Sequence, residues 1–393
     1  MTDRPSPFYT DGSNDFAYNT ISSRVPKIVL DVIDRNHFSP RITDELKRLA
    51  DDMAHNRPIE PPSSTTPDAD HWQAAYQAHF KNGQPPTWLD TVWFYAETLL
   101  YHFIIEKTRY YETGIDPYKP FKEEEIASEA LWKLLDTGIG IEGEPEEKLH
   151  DVLALALWGN RIDLSMAVSM SHGVHGANDD DLLIDDRKKL IPHLLSAQAS
   201  NQIHIVMDNA GTELTMDLLL ADLLLQSVPS ATQPTQVWLH IKHHPTFISD
   251  TVPADIWQLL DEMEKRASSR ELAQRLRQAW AQERLIIVPH IMWNSSSFAW
   301  ELPLQNVHIH PEATRLVITK GDMNYRRFTG DTSWPADVPF KEAVGYMDVP
   351  LAALRAMKCD ALVGIDQQTR DALQANNPEW RSIGKYGLIQ SNL

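Results

Sequence analysis

Beyond residue 200 the sequence takes on a rhythm that leaves few folds open. Five short runs rich in aliphatic and β-branched residues, at 203–207, 237–241, 285–288, 316–319 and 361–364, are separated by segments with helical spacing. Most are apolar without strict alternation, as expected of strands covered on both faces. Strands alternating with helices predict a mostly parallel sheet in an α/β fold. Between the second and third runs, Ile256, Leu259, Leu260 and Met263 share one stripe that Leu272, Leu276 and Trp280 continue, which predicts one long amphipathic helix. Before residue 200 no strand pattern stands out. There Val92, Tyr95, Leu99 and Phe103 recur at spacings of three and four, 126–135 behaves likewise, and the proline-, serine- and threonine-rich 57–70 predicts an exposed loop. The expectation is a helical N-terminal region over 1–195 and an α/β core over 196–393.

With 36 lysines and arginines against 55 acids, the formal charge is −19. That balance argues against a nucleic-acid or anionic-membrane partner. Cys359 is the single cysteine, so internal disulfides and a cysteine-based zinc site are excluded. The first residues lack the apolar core of a signal peptide, and no run of ~18 apolar residues occurs. A cytoplasmic location is expected.

Ligands of open α/β sheets bind beyond the carboxyl ends of the strands. There the sequence places three polar clusters: Asp208-Asn209-Ala210-Gly211-Thr212-Glu213, His243 through Asp250, and Lys320 through Arg326. Asp208, Asn209 and Asp250 offer hard oxygen ligands suited to Mg²⁺ or Mn²⁺. Gly211 permits a tight turn into a helix whose first amides favour an anion. Asn324, Arg326 and Lys320 offer donors for phosphate oxygens. A cation beside such donors is what phosphoryl transfer requires, because negative charge builds on the transferring oxygens. Taken singly, each piece has a blander reading as a helix cap or a solvated surface pair.

Together these segments resemble the damage-control phosphatase family, formerly the domain of unknown function 89, and specifically its sugar-phosphate subgroup. The matching pieces are Arg24-Val25-Pro26, 93–101 (WFYAETLLY), 158–165 (WGNRIDLS), 208–213 (DNAGTE), 240–250 (HIKHHPTFISD) and 320–331 (KGDMNYRRFTGD). The resemblance implies that the α/β core is a Rossmann-like α-β-α core, with a divalent metal, Mn²⁺ first and Ni²⁺, Co²⁺ or Mg²⁺ otherwise, held by Asp208, Asn209 and Asp250. It implies substrate contacts from Asp322, Met323, Asn324, Tyr325 and Arg326, from Glu213, and from Lys358 in an Arg-Thr-x-Lys motif. Here that motif reads Arg355-Ala356-Met357-Lys358, so one hydroxyl is missing. It also tilts Asn160 and Asp163 towards a pocket role. Implied substrates are small phosphorylated metabolites: fructose 1-phosphate, fructose 6-phosphate and related hexose phosphates. Either Asp250 or Glu213 would orient or deprotonate the attacking water.

The remaining features have structural readings. Trp88, Trp93 and Trp158 are expected in the core, and Glu123-Glu124-Glu125 as a solvated helix start. Histidines at 172 and 175, 243 and 244, and 308 and 310 are paired in sequence, but most simply are structural. The competing function is an S-adenosylmethionine-dependent protein carboxyl methyltransferase. It is weakened because the first strand leads into DNAGTE rather than a glycine-rich G-x-G turn. A non-catalytic sugar-phosphate sensor is the other.

Overall fold

The structure is a computed structural model that describes residues 3–159 and 181–393. Its strands are β1 (Leu182–Asp185), β2 (Gln202–Val206), β3 (Gln236–Lys242), β4 (Leu285–His290), β5 (Thr314–Lys320), β6 (Leu351–Ala356) and β7 (Gly387–Ser391). They form one sheet in the order β1-β7-β6-β5-β2-β3-β4. Every pairing is parallel except β6 with β7. The expected α/β class and mostly parallel sheet are therefore present.

Several boundaries differ from expectation. The run 361–364 makes a single bridge, Leu362 to Ser333, and the strand lies earlier at β6. β6 reads LAALRA, whose alanines have weak strand propensity; burial between neighbours selects it instead. A strand also precedes residue 200, the short edge β1. The long helix after β3 is two, Pro253–Glu264 and Arg270–Ala281, broken where Ser269 turns its hydroxyl onto the Met263 carbonyl. Trp280 ends half exposed, against Trp257.

One face of the sheet is covered by helices Glu129–Ile139, Pro145–Trp158, Thr212–Ser227, Pro253–Glu264 and Arg270–Ala281, whose buried residues join Ile203, Ile205, Val237 and Leu239 in one core. The opposite face packs Tyr325, Phe328, Trp334 and Phe340 against Val206, Val317 and Leu351. A separate apolar cluster gathers the helices Val25–Asp34, Pro40–Ala54 and Trp93–Lys107, and includes Cys359 and Ala361 from the loop after β6. The helix Trp93–Lys107 is buried from Trp93 through Ile105 on all sides. A helix enclosed all round has no solvated face, so its polar residues Glu97 and His102 must find partners inside.

Candidate active site

Counted from β2, the order β4-β3-β2-β5-β6 runs outward in both directions from the β2/β5 junction. Such a junction is the switch point where the flanking loops part and leave a crevice beyond the strand ends. Asp208 leaves β2 there, and Gly321-Asp322 leave β5. Gly321 holds φ at +82°, and a side chain on it would overlap the Asp208 carboxylate, 2.8 Å from the Asp208 Cβ. A glycine at this point lets the carboxylate lie across the start of the next helix.

The loop after β3 is tied to the same place by backbone. Thr251 N donates to the Asp208 carbonyl (2.8 Å), Ala210 N donates to the Ser249 carbonyl (2.6 Å), and Asn209 bridges to Asp250. Phe247 and Ile248 in this loop have φ of +48° and +69°, a costly setting for a β-branched residue. Phe247 packs against Tyr101 with ring centroids 4.4 Å apart and the planes tilted by 36°, which helps hold the turn.

These loops enclose a cavity of about 270 Å³ lined by Asp208, Asn209, Ser249, Asp250, Asp322, Met323, Arg326 and Lys358, and by Arg24, Trp93, Glu97 and Tyr101 from the N-terminal helices. Asn209 Nδ2 donates to Asp208 (2.9 Å) and to Glu213 (3.1 Å), and its Oδ1 accepts from the Ser249 hydroxyl (2.7 Å). Burial, then Glu213 and Asp250, push the Asp208 carboxyl well above its ordinary range; Lys358 and Lys242 only partly oppose this. Burial likewise pushes Asp250 up to about 6, against the pull of Lys242 at 3.4 Å. Asp250 Oδ2 is buried without a hydrogen-bond partner. Buried carboxylates that repel one another, one with an oxygen held only by a long ion pair to Lys242, form a donor set that a hard cation fits. Both aspartates line the cavity. Asn209 would offer its oxygen after its amide turns over, because Ser249 engages that oxygen now.

Other expected residues stand elsewhere. Asn324 is fully buried and its Nδ2 donates to the Val206, Met207 and Lys320 carbonyls, so it ties the ends of β2 and β5 together instead of facing the cavity. Tyr325 points into the core on the helix's other side, where its hydroxyl donates to Gln390 and Arg355 lies over its ring. Lys320 is held by the Ala156 carbonyl and Asp217, both at 2.7 Å, and is thereby withdrawn from any phosphate. Arg326 lines the cavity, but Asp331 takes two of its nitrogens and Glu97 the third, while Trp93 stacks beneath it at 3.7 Å. Asp322 lines the cavity as the partner of Arg355. Burial would raise its carboxyl, but Arg355 and Arg326 outweigh that and hold it below the usual range. Lys358 and Arg24 are exposed cations on the wall, without an ion pair among the described residues. Asn160 and Asp163 lie outside the described residues, as do His172 and His175.

The helix Thr212–Ser227 does meet an anion at its N-terminus, but the anion is internal: Thr212 N donates to Glu125 Oε1 at 2.8 Å. Gly211, at φ +67°, leaves room for that carboxylate, so Glu125 is not the solvated residue expected of its acidic run. Sequence reasoning also missed Ser249, Lys242, Glu97 and Asp331. Glu97 carried a usable signal, a lone acid within a buried apolar helix.

Fold and site define a doubly wound α/β protein whose switch-point crevice is lined by clustered carboxylates beside exposed cations. The chain belongs to the damage-control phosphatase ARMT1-like family, whose sequence model matches residues 20–373. It is 29% identical over 431 residues to the damage-control phosphatase ARMT1 of Homo sapiens, covering 95% of this chain and 96% of that one. The protein of the same name from Xenopus laevis is 27% identical over 444 residues, covering 99% of both chains. A crystal structure of a duf89 family protein from Pyrococcus horikoshii shares the fold, with a TM-score of 0.51 at 13% identity over 96% of this chain and 98% of that chain. No helix among the described residues is long and apolar enough to cross a membrane.

Proposed function

We propose that the chain is a divalent-metal-dependent phosphoric monoester hydrolase that acts on small sugar phosphates, fructose 1-phosphate and fructose 6-phosphate among them, in metabolite damage control. The observation that carries this reading is the meeting of Asp208, Asn209 and Asp250 in one cavity with Lys358 and Arg24 on its wall. Asp208, Asp250 and Asn209 would hold the cation, with Mn²⁺ preferred and Ni²⁺, Co²⁺ or Mg²⁺ as substitutes. A bound divalent ion supplies Lewis acidity and lowers the pKa of a water. Lys358 and Arg24 would take phosphate oxygens, the arginine able to do so with two parallel bonds. Arg326, its charge neutralised by Glu97 and Asp331, is a fixed part of the wall rather than a mobile phosphate clamp. Glu213, within reach of Asn209, and Asp250 both remain candidates to orient the water. A cavity near the small end of the ~300–1,000 Å³ range of ligand sites suits a metabolite rather than a polymer. Trp93, Tyr101 and Phe247 offer apolar surface for a sugar ring.

The test is a phosphate-release screen over many phosphometabolites, repeated with several divalent metals and after chelation, beside a methyl-transfer assay with S-adenosylmethionine. Metal-dependent phosphate release from hexose phosphates is expected. Methyl transfer without phosphate release would overturn the reading.

A pH dependence follows from the same cluster. Asp250 is raised from 3.8 to about 6, so its contribution to stability is fully present below about pH 3.8 and is lost as pH rises through about 6. A cation competes with protons for these oxygens. Adding Mn²⁺ should therefore raise the melting temperature more at pH 7.5 than at pH 5, with protons released on binding. An equal rise at both pH values, measured by differential scanning fluorimetry, would separate the metal from these carboxylates.

A further inference from the structure

A second polar cluster lies outside the cavity, where the N-terminal helices meet the loop after β3. His102 is on the enclosed helix Trp93–Lys107, Asp68 immediately precedes the helix Ala69–Ala78, and His244 follows β3. All three are buried, and their ligand atoms lie within 4.8 Å of one another.

Hydrogen bonds to the outside of the cluster fix which ring nitrogens face inward. His102 Nε2 is 2.8 Å from Glu106 Oε1, and His244 Nδ1 is 3.1 Å from the Pro245 carbonyl. Carboxylates and carbonyls only accept, so these outer nitrogens carry the protons. Asn294 Nδ2 donates to the His244 carbonyl at 2.9 Å and also lies 3.3 Å from His244 Nδ1; the Pro245 carbonyl is the nearer partner of that nitrogen, at 3.1 Å, and selects the tautomer with Nδ1 protonated. The inner nitrogens, His102 Nδ1 and His244 Nε2, are buried without a hydrogen-bond partner among the described residues. They face Asp68 Oδ2 at 3.4 and 3.6 Å.

Those separations are too long for charge-assisted hydrogen bonds, which close to about 2.7–2.9 Å. Asp68 and Glu106 flank His102 and, against the effect of burial, raise the pKa of its imidazole, so the cluster favours a positive charge at its centre, as a proton or as a metal ion. Tetrahedral coordination with ligand bonds of about 2.0–2.2 Å sets neighbouring ligand atoms about 3.3–3.6 Å apart, which matches both distances. The surroundings also match a metal site. Glu106 orients one imidazole and the Pro245 carbonyl the other, while Trp72 Nε1 (2.7 Å) and the Tyr111 hydroxyl (3.3 Å) donate to Asp68.

We infer that Asp68, His102 and His244 form a second metal site, structural in role, for a zinc-type divalent ion. Two imidazoles and one carboxylate suit zinc, whereas the all-oxygen cavity suits harder ions, so the two sites select different metals. The ion would tie the loop that carries Ser249 and Asp250 to two N-terminal elements.

The test uses the full-length chain, stripped by a chelator, with Asp208→Asn and Asp250→Asn in place so that the cavity cannot compete. It is titrated with Zn²⁺ alone, then with Co²⁺. One bound equivalent is expected, with a melting-temperature rise of roughly 3–5 °C. The Co²⁺ form should show the intense visible bands of a four-coordinate centre, and Mn²⁺ should not displace the ion. His102→Gln and His244→Gln, compared by circular dichroism for native folding, should each weaken Zn²⁺ binding by more than about 100-fold. No bound equivalent in the stripped parent, six-coordinate Co²⁺ bands, or unchanged binding in both glutamine variants would overturn the inference. If a variant does not fold, the parent titration and the Co²⁺ spectrum decide. None of these readouts depends on phosphatase activity.

Discussion

Replacing Asp208 by asparagine is expected to cut turnover by about a thousandfold or more and, at the same time, to raise the melting temperature of the metal-free protein at neutral pH. The first effect follows from the loss of one of two anionic ligands, which removes charge stabilisation that the transition state needs. The second follows from electrostatics of the empty cluster. Asp208 is buried beside Glu213 and Asp250, and burial and both neighbours disfavour its charge. An asparagine has nearly the same shape, keeps an oxygen for Asn209 Nδ2, and leaves the Thr251-to-Asp208 backbone bond intact. It removes the repulsion without opening a cavity. The opposed signs separate a site residue from a merely structural one, because structural losses lower stability and activity together. Steady-state kinetics with Mn²⁺ and melting curves in chelator check both. A folded asparagine variant with near-normal turnover would end the metal assignment.

The sheet was legible because parallel strands buried on both faces leave apolar runs that no loop reproduces; β2, β3, β4 and β5 were found within a residue or two at most ends. β6 was displaced for the converse reason. Its alanines carry little strand signal, while 361–364 is rich in it yet runs beside Ser333 outside the sheet. Topology decides such cases, and topology lies in pairings between residues far apart in sequence. The same distinction divides the site. Asp208, Asn209 and Asp250 could be placed near one another because each follows a strand, and strand ends converge in this class of fold. Periodicity on the helix Gly321–Thr329 could not show which residues turn inward. Met323 and Arg326 line the cavity, whereas Asn324 and Tyr325 are used by the backbone of β2 and by Gln390. Arg326 exposes a further limit. A guanidinium read as a phosphate donor is already satisfied by Glu97 and Asp331, and its partners come from 229 residues upstream and 5 residues downstream. The cluster of Asp68, His102 and His244 was invisible for the same reason: its histidines are paired in space, not in sequence.

Replacing Gly321 by alanine should be the most damaging change that alters no chemical group. At φ +82° any side chain is strained, by about 1–2 kcal/mol. Here the added methyl also overlaps the carboxylate of Asp208 and approaches its Cβ. That carboxylate has little freedom to retreat, since Asn209 holds it and the Asp208 backbone is bonded to Thr251. The helix start must therefore shift away from β2, and with it Asp322 and Met323 on the cavity wall. Total destabilisation of about 2–4 kcal/mol is expected. A displacement near 1 Å of these wall residues relative to Asp208 costs about a hundredfold in turnover or more. Gly114→Ala supplies the control. Gly114 also has positive φ, +68°, but a methyl there meets nothing within 4 Å, so it carries the backbone strain alone. Its variant should melt slightly lower than the parent and turn over normally. Denaturant unfolding and steady-state kinetics on the two alanine variants separate strain from displacement: equal losses of activity would mean that the close approach of Gly321 to Asp208 has no part in catalysis, whereas a loss confined to Gly321→Ala ties the reaction to the position of one carboxylate at the β2/β5 junction.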